Sequence, residues 1–199
     1  MRGFTLIETI VVIVIFTLAI GAVFSLIVMA YRVQGYTWQQ SQAIEEARKG
    51  IEIMVKEIRE ARTGEDGSYT IDKTEDKEFG FYSDIDRDLD IEKVRYFIEG
   101  DPDSLEGALF KKGVINPVGI PATYPTSSEV VTTLAKYLRN APPIFRYFDE
   151  NGNELPSPAR RKDSTLMQVY LIINVDKDRS PQNFELKSEV QIRNLKRNL

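Results

Sequence analysis

From residue 9 to residue 31 the chain is almost wholly apolar and carries no charged side chain. As a helix rising about 1.5 Å per residue, this stretch would be roughly 35 Å long, enough to cross a bilayer core of about 30 Å. Past Arg32 the pattern changes. Ile44, Ala47, Ile51, Met54, Val55, Ile58 and Ala61 recur at helical spacing, which predicts an amphipathic continuation of the same helix. Glu45 with Lys49 and Glu52 with Lys56 stand four apart, acid first, the spacing of helix-surface ion pairs. Gly21, Gly35 and Gly50 each weaken a helix by up to about 1 kcal/mol relative to Ala, so bends or melted turns are expected there. Gly64, following Arg59 and Arg62, reads as the stop. A helix over residues 4–62 would be on the order of 90 Å long at about 1.5 Å per residue. Its first half needs lipid or other helices. Its second half needs a protein surface, with the stripe partly covered by its own domain and partly left for neighbours.

The remainder, residues 63–199, is long enough for one domain with its own core. Strand-like runs fall at residues 78–82, 93–98, 108–111, 144–148, 166–175 and 184–192, several alternating apolar and polar. Turn chemistry at 99–104 and 150–153 predicts hairpins between them. Thr126-Ser127-Ser128-Glu129 fits a capping box, and Val130, Leu134 and Leu138 predict a short helix ended by Pro142 and Pro143. The Pro- and Gly-rich segment 113–126 is the expected mobile surface loop. The predicted architecture is α+β, with a long helix packed on an antiparallel sheet.

The string Gly3-Phe4-Thr5-Leu6-Ile7-Glu8, running into the apolar helix, resembles the N-terminus of type IV prepilins and type II secretion pseudopilins. A secretory signal peptide has a shorter apolar region followed by its small-residue cleavage site, whereas here Gly3 precedes the apolar run. An uncut single-span anchor is the plainer alternative. The resemblance implies that prepilin peptidase cuts between Gly3 and Phe4 and methylates the new amine of Phe4. It also implies that Glu8 serves assembly; a carboxylate at the mouth of a membrane helix is in any case a functional candidate. Arg2 supplies the cytoplasmic positive charge of the positive-inside rule. The implied organisation is a leader at 1–3, a transmembrane half-helix at 4–35, an amphipathic half at 36–62 and a pilin-like β domain at 63–199. The leader is shorter than most prepilin leaders, which leaves a minimal leader or an earlier start codon open.

Farther along, Val94-Arg95-Tyr96-Phe97-Ile98 with Ala108-Leu109-Phe110-Lys111 resembles a hairpin of J-type minor pseudopilins and W-type minor pilins. Residues 144–152 and 189–195 add looser matches. The resemblance implies a minor subunit at the tip of a periplasmic pseudopilus, in the inner membrane with its N-terminus cytoplasmic. Its implied partners are I-, K- and H-type pseudopilins, prepilin peptidase and the secretion assembly platform. The alternative within the family is a minor pilin of a type IV pilus or competence apparatus that binds DNA.

Composition narrows the chemistry. The 199 residues include no Cys and no His, which removes disulfides, His-dependent triads and Cys/His zinc sites. A net charge of −4 argues against a general nucleic-acid binder. The charge is uneven: residues 75–106 hold twelve acids and four bases, net −8, while 159–199 hold nine bases and five acids, net +4. The simple reading is two solvated faces; the sharper one is opposite faces that orient the domain against neighbouring subunits. Asp84, Asp86, Asp88 and Asp90 alternate as at the start of a calcium loop, but Leu89 and Arg95 stand where an EF-hand needs Gly and Glu. The EF-hand is rejected and no metal site is assigned. The four carboxylates remain candidates for an irregular calcium site, beside the plainer reading of an acidic turn. Arg160, Arg161 and Lys162 with Arg193, Lys196 and Arg197 form a candidate basic patch for DNA. No phosphate loop, nucleophile elbow or aspartic protease motif is present, so neither enzyme activity nor a cofactor is expected. Trp38, just past the apolar stretch, suits an interfacial anchor or a contact residue.

Overall fold

One unbroken helix, α1 (Leu6–Arg59), leads the chain, and no turn of it melts at Gly21, Gly35 or Gly50. The computed structural model describes residues 3, 5–156, 160–179 and 183–191. The helix stops short of the expected Arg62. Glu60 and Ala61 donate to the carbonyls of Glu57 and Ile58, three residues back, which tightens the last turn. Arg62 N–H then donates to the Tyr82 carbonyl at 2.8 Å and leaves the helix for the sheet. Gly64 is needed for a close approach, since a Cβ there would lie 3.0 Å from the Tyr82 ring and 2.8 Å from an Asp66 carboxylate oxygen.

The chain divides into two compact units, Met1–Gln39 and Gln40–Leu199. In the second, eight strands follow α1: β1 (Ile71–Thr74), β2 (Glu78–Ser83), β3 (Glu92–Glu99), β4 (Ala108–Ile115), β5 (Val130–Leu138), β6 (Phe145–Phe148), β7 (Leu166–Ile173) and β8 (Phe184–Gln191), with a short α2 (Arg160–Asp163) before β7. Every pairing is antiparallel, in the order β1-β2-β3-β4-β5-β7-β6, with β8 paired to β7. The α+β, pilin-like architecture is thus present.

The predicted helical stripe is the core. Ala43, Ala47, Ile51, Met54 and Ile58 are buried against the sheet. From the sheet, Tyr147, Phe79, Phe81, Tyr96 and Phe110 form a continuous run of rings, with successive centroids 5.9, 5.5, 6.2 and 5.8 Å apart. Gly50 lets the helix approach this layer. A Cβ at Gly50 would stand 3.1 Å from Leu134 Cβ and 3.3 Å from the Phe110 ring. Gly50→Val is therefore expected to lower stability by about 1–3 kcal/mol through overpacking, read in a denaturant titration. Gly21→Val, with open space around it, is the matched control.

The sheet is nearly two sheets. β5 and β7 share a single register pair, Leu138 with Ile173. Polar side chains complete the seam. Asn140 gives its amide to the Tyr170 carbonyl at 2.8 Å and takes the Ile172 N–H at 2.9 Å, as a strand residue would. Gln40 on α1 donates to the Ile173 carbonyl and accepts from Val175 N–H. The Arg139 guanidinium is surrounded by the carbonyls of Pro102, Ser104, Leu105, Asn174 and Val175. A buried clasp of this kind satisfies backbone groups that the ladder leaves open.

Two expectations for the middle of the chain fail. Residues 126–138 are not a capped helix: Thr126–Ser128 is a single 3-10 turn without a side-chain cap, and β5 follows. The β-branched run Val130-Val131-Thr132-Thr133 suits a strand, and β4 offers it an edge. Glu129 turns away from the backbone to a forked contact with Arg95, one arm at 2.8 Å. The segment expected to be mobile is tied down as well. Its start is the end of β4, a bridge joins Val118 to Thr123, and the Tyr124 hydroxyl donates to the Ile91 carbonyl at 2.7 Å.

Candidate functional site

At the start of α1, Thr5 and Glu8 hold one another. The Glu8 carboxylate oxygen Oε2 accepts from Thr5 N–H at 2.9 Å and from the Thr5 hydroxyl at 2.8 Å, and the Glu8 N–H approaches Thr5 Oγ1 at 3.4 Å. This is a capping box, in which the first helical residues satisfy each other's otherwise orphaned donors. The motif Thr5-Leu6-Ile7-Glu8 spells it in sequence, and the reading of Glu8 as an assembly residue passed over it. Both Thr5 contacts fall on one oxygen. Among the described residues, Glu8 Oε1 takes no hydrogen bond, so one face of the carboxylate stays available. Gly3 is exposed, and a Cβ added to it would meet nothing within 4 Å. Phe4 lies outside the described residues.

Beyond this start the Met1–Gln39 unit offers a bare apolar surface. Leu6, Ile7, Val12, Phe16, Leu18, Phe24 and Leu26 are all more than half exposed, and α1 is long and apolar enough to cross a membrane. A core helix of a soluble protein can match that composition, but it is covered by its neighbours. Here the apolar window has no cover within the described residues. Trp38 is 73% exposed, as an interfacial or contact residue requires.

On the Gln40–Leu199 unit the helix presents charge outward. Glu45, Arg48, Lys49, Glu52, Lys56 and Arg59 are exposed, with Ile53 43% exposed among them and Glu60 just past the helix end; of the stripe only Ile44 and Val55 remain half-buried. The sheet therefore covers the apolar face that was expected to be shared with neighbours. A neighbour meeting this helix would meet a charged face and, at its flank, a groove lined by Ile51, Val55, Lys56 and Ser188. Neither expected four-apart ion pair forms among the described residues; Glu45 meets Arg48 instead, at 3.8 Å. Glu57 faces inward. It accepts from the Tyr96 hydroxyl at 2.6 Å and pairs with Lys112 at 2.5 Å. Burial, reinforced by that carboxylate, pushes the Tyr96 phenol far up.

Two of the six residues of the candidate basic patch are engaged within the domain. Arg160 pairs with Asp76 at 2.5 Å and donates to the Leu155 carbonyl, and Arg161 donates to the Ile71 carbonyl at 2.9 Å. The side chain of Lys162, and Arg193, Lys196 and Arg197 altogether, lie outside the described residues. The acidic turn between β2 and β3 is brought together in part. Asp84, Asp86 and Asp88 each place a carboxylate oxygen within 4.8 Å of the others; Asp90 is not among them. Below the turn stands Glu92, which the sequence reading did not single out. It is 1% exposed, and burial pushes its carboxyl up from the usual range.

Comparison with known families adds one finding. Residues 1–24 match the prokaryotic N-terminal methylation motif. The match supports a type IV pilin-like protein. It falls on the segment that carries Gly3, the Thr5–Glu8 box and the first turns of the exposed apolar helix. For a type IV pilin-like protein the motif implies processing by a prepilin peptidase and a pilus or pseudopilus as the setting of assembly. The apolar helix is consistent with membrane anchoring. No curated protein matches the chain.

Proposed function

We propose that this type IV pilin-like chain is a minor pseudopilin of a type II secretion system, most similar to the J type, which helps to start and cap a short periplasmic filament. The observation that carries the reading is the junction of a methylation motif with an apolar helix that the described residues leave bare. Such a helix needs lipid before assembly and other helices after it. The β3–β4 hairpin supports the finer assignment, since the strings that resemble J-type subunits pair with each other, Ile98 opposite Phe110. The protein acts by assembly and not by catalysis. It sits in the inner membrane with its N-terminus cytoplasmic and its β domain periplasmic, is cut between Gly3 and Phe4, and is methylated on Phe4. Glu8 then acts between subunits as the α1 helices bundle. Under the DNA-binding alternative, Arg160 is already paired with Asp76, and Arg161 gives its Nε to the Ile71 carbonyl.

The test is partner choice. The domain from Tyr36 onward is expected to run alone as a monomer. On mixing with cognate I- and K-type domains its elution in size-exclusion chromatography should shift, since a stable interface buries at least about 1,000 Å². Charge reversal on the outward face, Glu52→Lys with Glu60→Lys, should weaken that shift, because charge surrounds the one exposed apolar side chain there, Ile53. Persistent monomer with every cognate partner at high micromolar concentration overturns the tip-subunit reading.

A further inference from the structure

Among the described residues, three strands stand at the margins of the sheet: β1, β6 and β8. Two of them are short and tied to their own chain. β1 has four residues and an irregular register against β2, and Arg161 Nε donates to its Ile71 carbonyl at 2.9 Å. β6 has four residues as well. The segment beside it gives the Leu155 N–H to the Tyr147 carbonyl at 2.8 Å and bridges Glu154 to Phe148. β8 differs. All eight of its residues pair with β7 in unbroken register, without a proline, and no second strand pairs with it among the described residues. Alternate N–H and C=O groups of an outermost antiparallel strand point away from the sheet and form a template for another strand.

The groove at the flank of α1 opens along this same margin. Ile51 and Val55 line it from the helix and Ser188 from β8, with Glu52 and Lys56 at its rim. Phe184, Leu186 and Ser188 are half-buried and Val190 is buried, so this parity of β8 faces the helix side; Glu185, Lys187 and Glu189 are exposed on the other face. Past β8 the sheet ends before the helix flank is covered by any described residue. A strand added there would hydrogen-bond to β8 and turn alternate side chains into the groove, against Ile51 and Val55. The free edge and the groove thus call for the same object.

We propose, resting on the reading of this chain as a filament subunit, that the β8 edge accepts an extended segment of a neighbouring subunit of a different kind. That segment carries small apolar side chains toward α1. On its other face it carries basic, acidic and basic side chains opposite Glu185, Lys187 and Glu189. Opposite charges face to face stabilise paired strands and like charges destabilise them, so the Glu-Lys-Glu row sets which strand is taken and in which register. Main-chain bonds supply the affinity. Two occupants from this same chain match less well. Residues 192–199 hold three bases and no acid to meet Lys187. A second β8 meets the charges only when it runs antiparallel, with Lys187 opposite Glu189, and that turns one domain end for end against the other. A filament instead repeats a heterologous contact between subunits that point the same way.

The experiment follows backbone hydrogen exchange of the full chain in detergent micelles, alone and mixed with cognate I- and K-type subunits. With a subunit that joins, exchange at Phe184–Gln191 should slow about tenfold or more, while β1 changes little. The edge is also titrated with the peptide Val-Lys-Val-Glu-Val-Lys-Val, whose charges match β8 in either direction. Its swapped form, Val-Glu-Val-Lys-Val-Glu-Val, should bind about fivefold more weakly or worse. Lys187→Glu, on an exposed side chain, should keep the parent's melting midpoint and prefer Val-Lys-Val-Lys-Val-Lys-Val. A subunit that joins and leaves β8 exchange unchanged overturns the proposal and spares the tip-subunit reading. If no subunit joins, that reading falls and the peptides alone decide the edge. Equal binding of the matched and swapped peptides overturns the proposal. So does β8 protection in the chain alone that rises with concentration, the mark of a second copy, or that is lost on truncation after Gln191, the mark of residues 192–199.

Discussion

Replacing Gly3 with Leu is expected to leave nearly all of the chain with its original N-terminus, unmethylated at Phe4 and absent from assembled filaments. The prepilin peptidase must bring its catalytic groups against the backbone at the scissile bond, and glycine is the residue that lets another molecule approach the main chain closely. The structure makes this test clean. Among the described residues a Cβ at Gly3 meets nothing within 4 Å, so no packing seen there calls for glycine. The sheet domain of the variant should therefore melt like the parent. Mass spectrometry of the N-terminal peptide reads the outcome. A Gly3→Leu chain that is cut and methylated normally sinks the processing site.

Glu8 gives the second large effect, and the Thr5–Glu8 contacts show how to read it. Two roles compete: a helix cap, and a charge that pairs with the new amine of Phe4 when α1 enters an apolar bundle. Glu8→Gln separates them. Glutamine at this position keeps a capping box but carries no charge. If Glu8 pairs with the amine, Glu8→Gln should be inserted and cut as the parent is, yet fail to crosslink to partner subunits and fail to support secretion. An unpaired charge in an apolar bundle costs several kcal/mol, more than a surface cap is worth. Thr5→Val is the converse variant. It removes the hydroxyl that donates to Glu8 at 2.8 Å and keeps the charge, so it should lower helix-start stability by about 0.5–2 kcal/mol with assembly largely preserved. Normal assembly of Glu8→Gln would reduce Glu8 to a cap. Oε1, which takes no hydrogen bond among the described residues, is the atom the pairing would use.

The α1 helix was the most legible part of the protein, because both of its signals are local. The apolar run needs only length, and the stripe through Ala47, Ile51, Met54 and Ile58 needs only a period of 3.6. Over the described residues, the six predicted strands fall within the observed ones or overshoot them by a residue or two, for the same reason, and residue 192 of the last lies outside the described residues. β1 and β5 were not legible. Ile71-Asp72-Lys73-Thr74 has one fully buried residue, Ile71, and is made a strand by the β2 edge beside it. In β5 only Ala135 and Leu138 are buried, so no alternation marks it, and the chance spacing of Val130, Leu134 and Leu138 imitates a helix. The Thr5–Glu8 box is also local, since it needs only Thr and Glu three residues apart at a helix start.

Chain order alone determined the methylation segment, the exposed apolar helix and the sheet that follows it, since each is written in neighbouring residues. Tertiary structure decided which residues complete the rest. Gln40 meets Ile173 across 133 positions, and Arg139 gathers carbonyls from two turns 34 to 37 positions away. Glu92 stands under the aspartate turn only because β2 and β3 pair with Ser83 opposite Glu92. Periodicity reports which face of an element is apolar. It carries no record of the register that later sets two polar groups side by side, and in this domain that register places the buried carboxylate beneath the acidic turn.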